Sequence, residues 1–97
     1  GIGQALMEEF KVEDGVIISD RMARYPIPRF SDSPPVESLV VEEAMPEGPF
    51  GAKGVGEIVG IPTVPAIANA IWRATGLRFT HLPIRADEIK RRLQGGE

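Results

Sequence analysis

The chain has 97 residues, 42% of them hydrophobic and 26% charged, inside the range of one small globular domain. With no Cys and one His, it excludes a disulfide framework, a zinc finger, an iron–sulfur site and a His-rich metal centre of its own. The net charge of −3 is uneven, because residues 1–72 carry five Lys/Arg against eleven Asp/Glu while residues 73–97 carry six against three. An acidic body argues against nucleic-acid binding, and Lys90-Arg91-Arg92 reads as a solvated helix end.

No stretch approaches the ~18 consecutive apolar residues of a membrane-spanning helix. The opening Gly1-Ile2-Gly3-Gln4 has neither a signal-peptide pattern nor an initiator Met, which points to a fragment or a processed chain. Ile2, Ala5, Leu6, Glu9 and Phe10 have the spacing of a short helix. Glu13-Asp14-Gly15 is a turn signal, and the β-branched Val16-Ile17-Ile18 is of strand type. Residues 25–35 (YPIPRFSDSPP) hold four prolines and cannot be helical.

Residues 36–43 (VESLVVEE) read as a strand, with Leu39 and Val41 facing inward. A long glycine-punctuated loop follows, from Met45 to Gly60. Residues 63–75 predict a helix with Thr63 as N-cap, Pro65 in the first turn and Gly76 as the stop. Its apolar stripe is Ile67, Ile71 and Ala74, flanked by Val64 and Ala70, with Trp72 on the shoulder. Residues 78–81 predict a short strand. Residues 87–93 predict a last helix, with acids in the first turn and bases in the last, and Ile84, Ile89 and Leu93 on one apolar side. The fold class is therefore α+β, with small mixed or antiparallel sheet elements and two or three helices in one unit over 1–97. Few strands, unpaired edges and a loop too long for a passive connector favour a piece of a larger fold over an ordinary small α+β domain.

The chemistry concentrates in Gly48 to Glu57, GPFGAKGVGE. Gly51, Gly54 and Gly56 let backbone N–H groups approach a ligand, and Lys53 adds a positive charge to such an anion-binding nest. Glu57 precedes the apolar Ile58-Val59, a setting expected to desolvate its carboxylate partly and prepare it as a base. The stretch is not a phosphate-binding P-loop, because Gly54 follows the Lys where Ser or Thr is required. Nor is it a dinucleotide fingerprint, since no strand runs into it and the helix opens only at Thr63. On composition alone, a glycine-rich turn with an exposed Lys and Glu remains the plain alternative.

GPFGAKGVGE, followed by PAIANAIWRATG and FTHLPIRADEIKRRL, resembles the C-terminal end of the molybdenum hydroxylase large subunit, the xanthine dehydrogenase and aldehyde oxidase family. GIGQALMEE and YPIPRFSDSPPVE extend the resemblance over nearly the whole chain. It implies a fragment of a larger molybdopterin-binding domain. It implies that Glu57 is the catalytic base beside the molybdenum, taking a proton from a metal-bound hydroxyl during hydroxylation at an electron-poor carbon. Lys53, Gly54, Val55 and Gly56 correspond to the loop against the pterin cofactor, with Gly56 the strongest candidate. No residue here corresponds to a metal ligand. The implied partners are the rest of the large subunit, 2Fe-2S and FAD centres on other domains or subunits, and a small-molecule substrate, in a cytoplasmic enzyme without nucleic acid or membrane.

Other residues read as structural: His81, Tyr25 and Trp72 as packing or surface groups, and Asp32, Glu42, Glu43 and Glu47 as solvated acids. Two rivals to the hydroxylase reading are a non-redox anion- or nucleotide-binding module and a purely structural or assembly module. The chain alone is expected to bind no molybdenum, to be inactive and to form homo-oligomers through its uncovered edges.

Overall fold

The computed structural model of the chain describes residues 1–95. Helix α1 (Ile2–Leu6) starts at Gly1 and stops at Met7, whose φ of −147° leaves the helical region. The helix predicted to run to Phe10 is thus cut short. Met7 and Glu8 both donate their N–H groups to the Gly3 carbonyl, and the side chains beyond are held elsewhere. Glu8 accepts the Tyr25 hydroxyl at 3.0 Å, and Glu9 pairs with Arg85.

Strands β1 (Val12–Glu13) and β2 (Val16–Ile17) form an antiparallel hairpin pairing Val12 with Ile17 and Glu13 with Val16. Asp14 (φ 49°) and Gly15 (φ 80°) supply the two left-handed residues that a two-residue hairpin turn needs. The ladder closes where Ile18 N–H donates to the Lys11 carbonyl at 2.8 Å and Lys11 N–H donates to the buried Ser19 Oγ at 2.9 Å.

Helix α2 (Thr63–Thr75) has the predicted bounds and ends at Gly76. Gly76 takes φ 74°, and its N–H donates to the Trp72 carbonyl at 2.7 Å. The cap position belongs to Pro62, not Thr63; Thr63 is the first helical residue, and its hydroxyl donates backward to the Val59 carbonyl at 3.4 Å. The half-buried side of α2 is Val64, Ile67, Ala68 and Ile71, whereas Ala70 and Ala74 face solvent. Helix α3 (Ala86–Leu93) starts one residue earlier than predicted, with Asp87 and Glu88 in its first turn and three bases in its last. That order suits the helix dipole.

The core sits where the two ends of the chain meet. Among the described residues Ala5, Pro83 and Ile84 are buried there, and Ile84 N–H donates to the Ala5 carbonyl at 2.7 Å. Gly3 is obligatory here, since a Cβ on it would come within 2.6 Å of Pro28 Cδ. Segment 77–81 crosses between α2 and α3. The Arg78 guanidinium stacks 4.0 Å over the Trp72 ring, and the Arg92 guanidinium lies 4.6 Å over Phe79 while donating to the Arg78 carbonyl at 2.9 Å. The strand predicted at 78–81 does not form, because this segment lies among helices and no strand runs beside it.

Residues 30–61 form a long arm with short 3-10 turns at Phe30–Asp32, Pro49–Gly51 and Ile58–Gly60. The strand predicted at 36–43 is absent for the same reason: a strand exists only with a partner edge, and the sheet among the described residues is the small hairpin. Leu39 and Val41 are almost fully exposed instead of inward. The dimensions agree. The radius of gyration is 17.8 Å, against about 13 Å for a compact domain of this length. The accessible surface is 8349 Å², whereas a folded chain of this mass exposes about 5,400 Å². Among the described residues, no helix is long and apolar enough to cross a membrane.

Candidate functional site

The glycine-rich stretch folds into two successive turns on the arm. In the first, Gly48 N–H donates to the Met45 carbonyl, Gly51 N–H to the Gly48 carbonyl and Met45 N–H to the Gly51 carbonyl, all within 3.1 Å. This ring sets Phe50 at φ 54°, a left-handed conformation that costs a non-glycine residue about 1–2 kcal/mol. The Phe50 ring projects fully into solvent. Beside it lies a shallow hollow of about 330 Å³, lined by Glu42, Glu43, Phe50, Gly51, Lys53 and Val55 together with Val41 and Ala44.

Lys53 and Val55 therefore share one hollow, whereas Gly54, Gly56 and Glu57 lie outside its lining. Gly54 and Gly56 are informative in another way. Neither takes a positive φ, and a Cβ on either would meet nothing within 4 Å. Neither backbone conformation nor packing within the chain calls for glycine at these positions. Space for a side chain is open at both positions.

Glu57 opens the second turn, its carbonyl accepting Gly60 N–H at 3.0 Å. Its carboxylate is exposed, and Ile58 and Val59 are themselves largely exposed, so this chain does not supply the desolvation expected at Glu57. The apolar pair beside it needs a cover from outside these residues before it can act on the carboxylate. Glu42 and Glu43 are exposed, as read from sequence, and line the same hollow as Lys53. Their position ten and eleven residues before the Lys carried no periodic signal, because only the turn at 45–51 folds them back. Among the described residues, no group of three or more His, Cys, Asp or Glu side chains gathers to hold a metal ion.

No protein-family model matches the chain. Curated relatives do. The 6-hydroxypseudooxynicotine dehydrogenase complex subunit gamma of Paenarthrobacter nicotinovorans is 43% identical over 99 residues, 98% of this chain and 12% of that protein. The aldehyde oxidoreductase molybdenum-binding subunit PaoC of Escherichia coli strain K12 is 40% identical over 92 residues, 92% of this chain and 13% of that protein. The xanthine dehydrogenase molybdenum-binding subunit of Escherichia coli O157:H7 is 38% identical over 86 residues, 87% of this chain and 11% of that protein. The chain belongs to the xanthine dehydrogenase and aldehyde oxidoreductase family of molybdenum-binding subunits. It spans about an eighth of the length of the relatives it matches. Membership in a family of much longer chains accords with an arm whose apolar residues find no cover among residues 1–95.

Proposed function

We propose that the complete protein carrying this chain is a molybdenum–pterin hydroxylase acting on a small molecule at an electron-poor carbon, and that this segment supplies one wall of the site. The observation that carries the reading is the identity of 36–43% with molybdenum hydroxylase subunits over at least 87% of the chain, which brings the glycine loop with it. Glycine at 54 and 56, which packing among the described residues does not require, supports it from the physical side, since a group that approaches the backbone closely would require it.

When bound, the molybdenum–pterin group supplies the two-electron redox chemistry of hydroxylation. This chain's own contribution is to hold and to take a proton. The N–H groups of Gly54, Val55 and Gly56, with the Lys53 ammonium, hold the polar edge of the cofactor. The Glu57 carboxylate oxygen accepts the proton released as the attacking oxygen becomes a nucleophile. Covering Ile58 and Val59 by the rest of the subunit removes water from the Glu57 side chain, which strengthens it as a base. The electrons taken from the substrate would pass to acceptors on other domains or subunits, for which 2Fe-2S and FAD centres are the proposed groups; one relative is named as a subunit of a complex.

A loop that holds a nucleotide without redox chemistry fits less well, because Glu42 and Glu43 beside Lys53 oppose a polyphosphate. Metal and pterin analysis of the complete protein separates the two readings. Near-stoichiometric molybdenum with a pterin is expected; a bound nucleotide and no molybdenum contradicts the hydroxylase.

A further inference from the structure

Two segments meet at Thr63, the turn that immediately precedes it and the start of α1, which is distant in sequence. The first is the turn that starts at Glu57. Gly60 N–H donates to the Glu57 carbonyl at 3.0 Å, Ile61 N–H donates to the Ile58 carbonyl at 3.3 Å, and the Thr63 hydroxyl donates to the Val59 carbonyl at 3.4 Å. The second is the start of α1. A Cβ placed on Gly1 would lie 2.5 Å from Thr63 Cβ, 2.6 Å from its Cγ2 and 2.8 Å from its Oγ1. Gly1 thus leaves the space that the Thr63 side chain fills, and the filled space fixes which way the hydroxyl is presented.

We infer that Thr63 is a positioning residue for Glu57. Its methyl group is wedged against the start of α1, and its hydroxyl pins the Glu57-bearing turn to the first turn of α2. The arm offers little else to do this. Ile58, Val59 and Ile61 are exposed, so apolar packing within the chain does not hold the turn. A carboxylate must sit within hydrogen-bond reach of the proton it takes, and small misplacements of such groups lower rates steeply. Thr63 touches neither substrate nor cofactor in this account; it acts through the backbone that carries Glu57. The inference rests on the reading of Glu57 as the base.

The test uses the complete enzyme with three substitutions, Thr63→Val, Thr63→Ser and Glu57→Gln, each characterised by kcat, KM and molybdenum content. Thr63→Val keeps the wedge and removes the donor. It should lower kcat by about three- to tenfold while KM and molybdenum content stay within about twofold of wild type. Thr63→Ser keeps the donor but loses the methyl wedge, and should give a kcat between those of Thr63→Val and wild type, whereas a Thr63→Ser enzyme no better than Thr63→Val contradicts the role of the hydroxyl. A Thr63→Val enzyme with unchanged kcat, or one whose loss simply follows lost molybdenum, overturns the positioning role. The two assignments fail separately. A Glu57→Gln enzyme that remains active removes the base itself, whereas an inactive Glu57→Gln beside an unimpaired Thr63→Val removes Thr63 alone.

Discussion

Ile84 gives its backbone N–H to the carbonyl of Ala5 at 2.7 Å, and both side chains are buried at that junction. Seventy-nine residues apart, these two hold the start of the chain to the approach of α3, and Pro83 is buried with them. Most of what lies between them in sequence is exposed. The body that carries the glycine-loop arm is therefore closed by a very small core.

Ile84→Ala should be disproportionately damaging. Truncating a fully buried Ile to Ala typically costs about 2–5 kcal/mol, a large part of the stability available to a chain this short. Urea denaturation of the chain should show a midpoint sharply lowered or no cooperative transition. A midpoint close to that of the unchanged chain would mean that Ile84 is not the centre of the core.

The contact between Glu9 and Arg85 gives a pH prediction. The hydrogen bond from Arg85 holds the Glu9 carboxyl below its ordinary value of 4.5, with Lys11 assisting against partial desolvation. A depressed carboxyl pKa stabilises the fold above the unfolded value, and the contribution fades as pH falls below about 4.5 through the folded value. In an NMR titration, Glu9 should ionise below its ordinary value of 4.5, and Arg85→Met should return it towards that value. An unshifted Glu9 in the unchanged chain would show that the pair does not persist in solution.

Tyr25 moves in the other direction. Its hydroxyl donates to Glu8, and that hydrogen bond, followed by desolvation and the Glu8 charge, raises its pKa above 10.0. A raised value means that the contribution is complete below about pH 10 and is lost as pH rises through the folded pKa. Tyr25 is the only tyrosine, so tyrosinate absorbance reports it alone. Glu8→Gln should bring the transition back towards the ordinary value, and an unchanged transition would remove Glu8 as the cause.

Uncovered surface sets the behaviour of the isolated chain. It exposes about 2,900 Å² more than a compact chain of its mass, whereas a stable interface needs about 800 Å² from each partner. Light scattering on the purified chain should find dimers or larger species at high concentration, and metal analysis should find no molybdenum. A strict monomer, or near-stoichiometric molybdenum, would contradict this.

Helices α2 and α3 and the hairpin turn were legible in the sequence because their determinants are local. Apolar spacing with Gly76 at the stop marked α2, acids before bases marked α3, and Asp14-Gly15 marked the turn. Elements whose determinants lie elsewhere were not. Residues 36–43 have strand composition, but pairing needs an edge that residues 1–95 do not offer. The end of α1 depends on Tyr25 and Arg85, distant partners that draw Glu8 and Glu9 away from a helical continuation. Thr63 has the composition of an N-cap, yet Pro62 takes that place and the hydroxyl turns back to Val59. At the site, Lys53 and the glycines were visible as a motif, while Glu42 and Glu43 entered it only through the fold of the turn. The exposure of Glu57 reflects the same cause as the missing strand, since its apolar neighbours have no cover within the chain.

The most direct test of the account is Glu57→Gln in the complete enzyme. Gln keeps the size of the side chain and removes the proton acceptor, and general-base assistance is worth about 10²–10⁴-fold in rate. Turnover should fall by at least that range while molybdenum content stays at the wild-type level, because the glycines, not this side chain, shape the backbone of the loop. Lys53→Met should show the opposite pattern, losing cofactor more than rate per bound molybdenum. A Glu57→Gln enzyme that retains its molybdenum and turns over within about tenfold of wild type would contradict the assignment of Glu57 as the base.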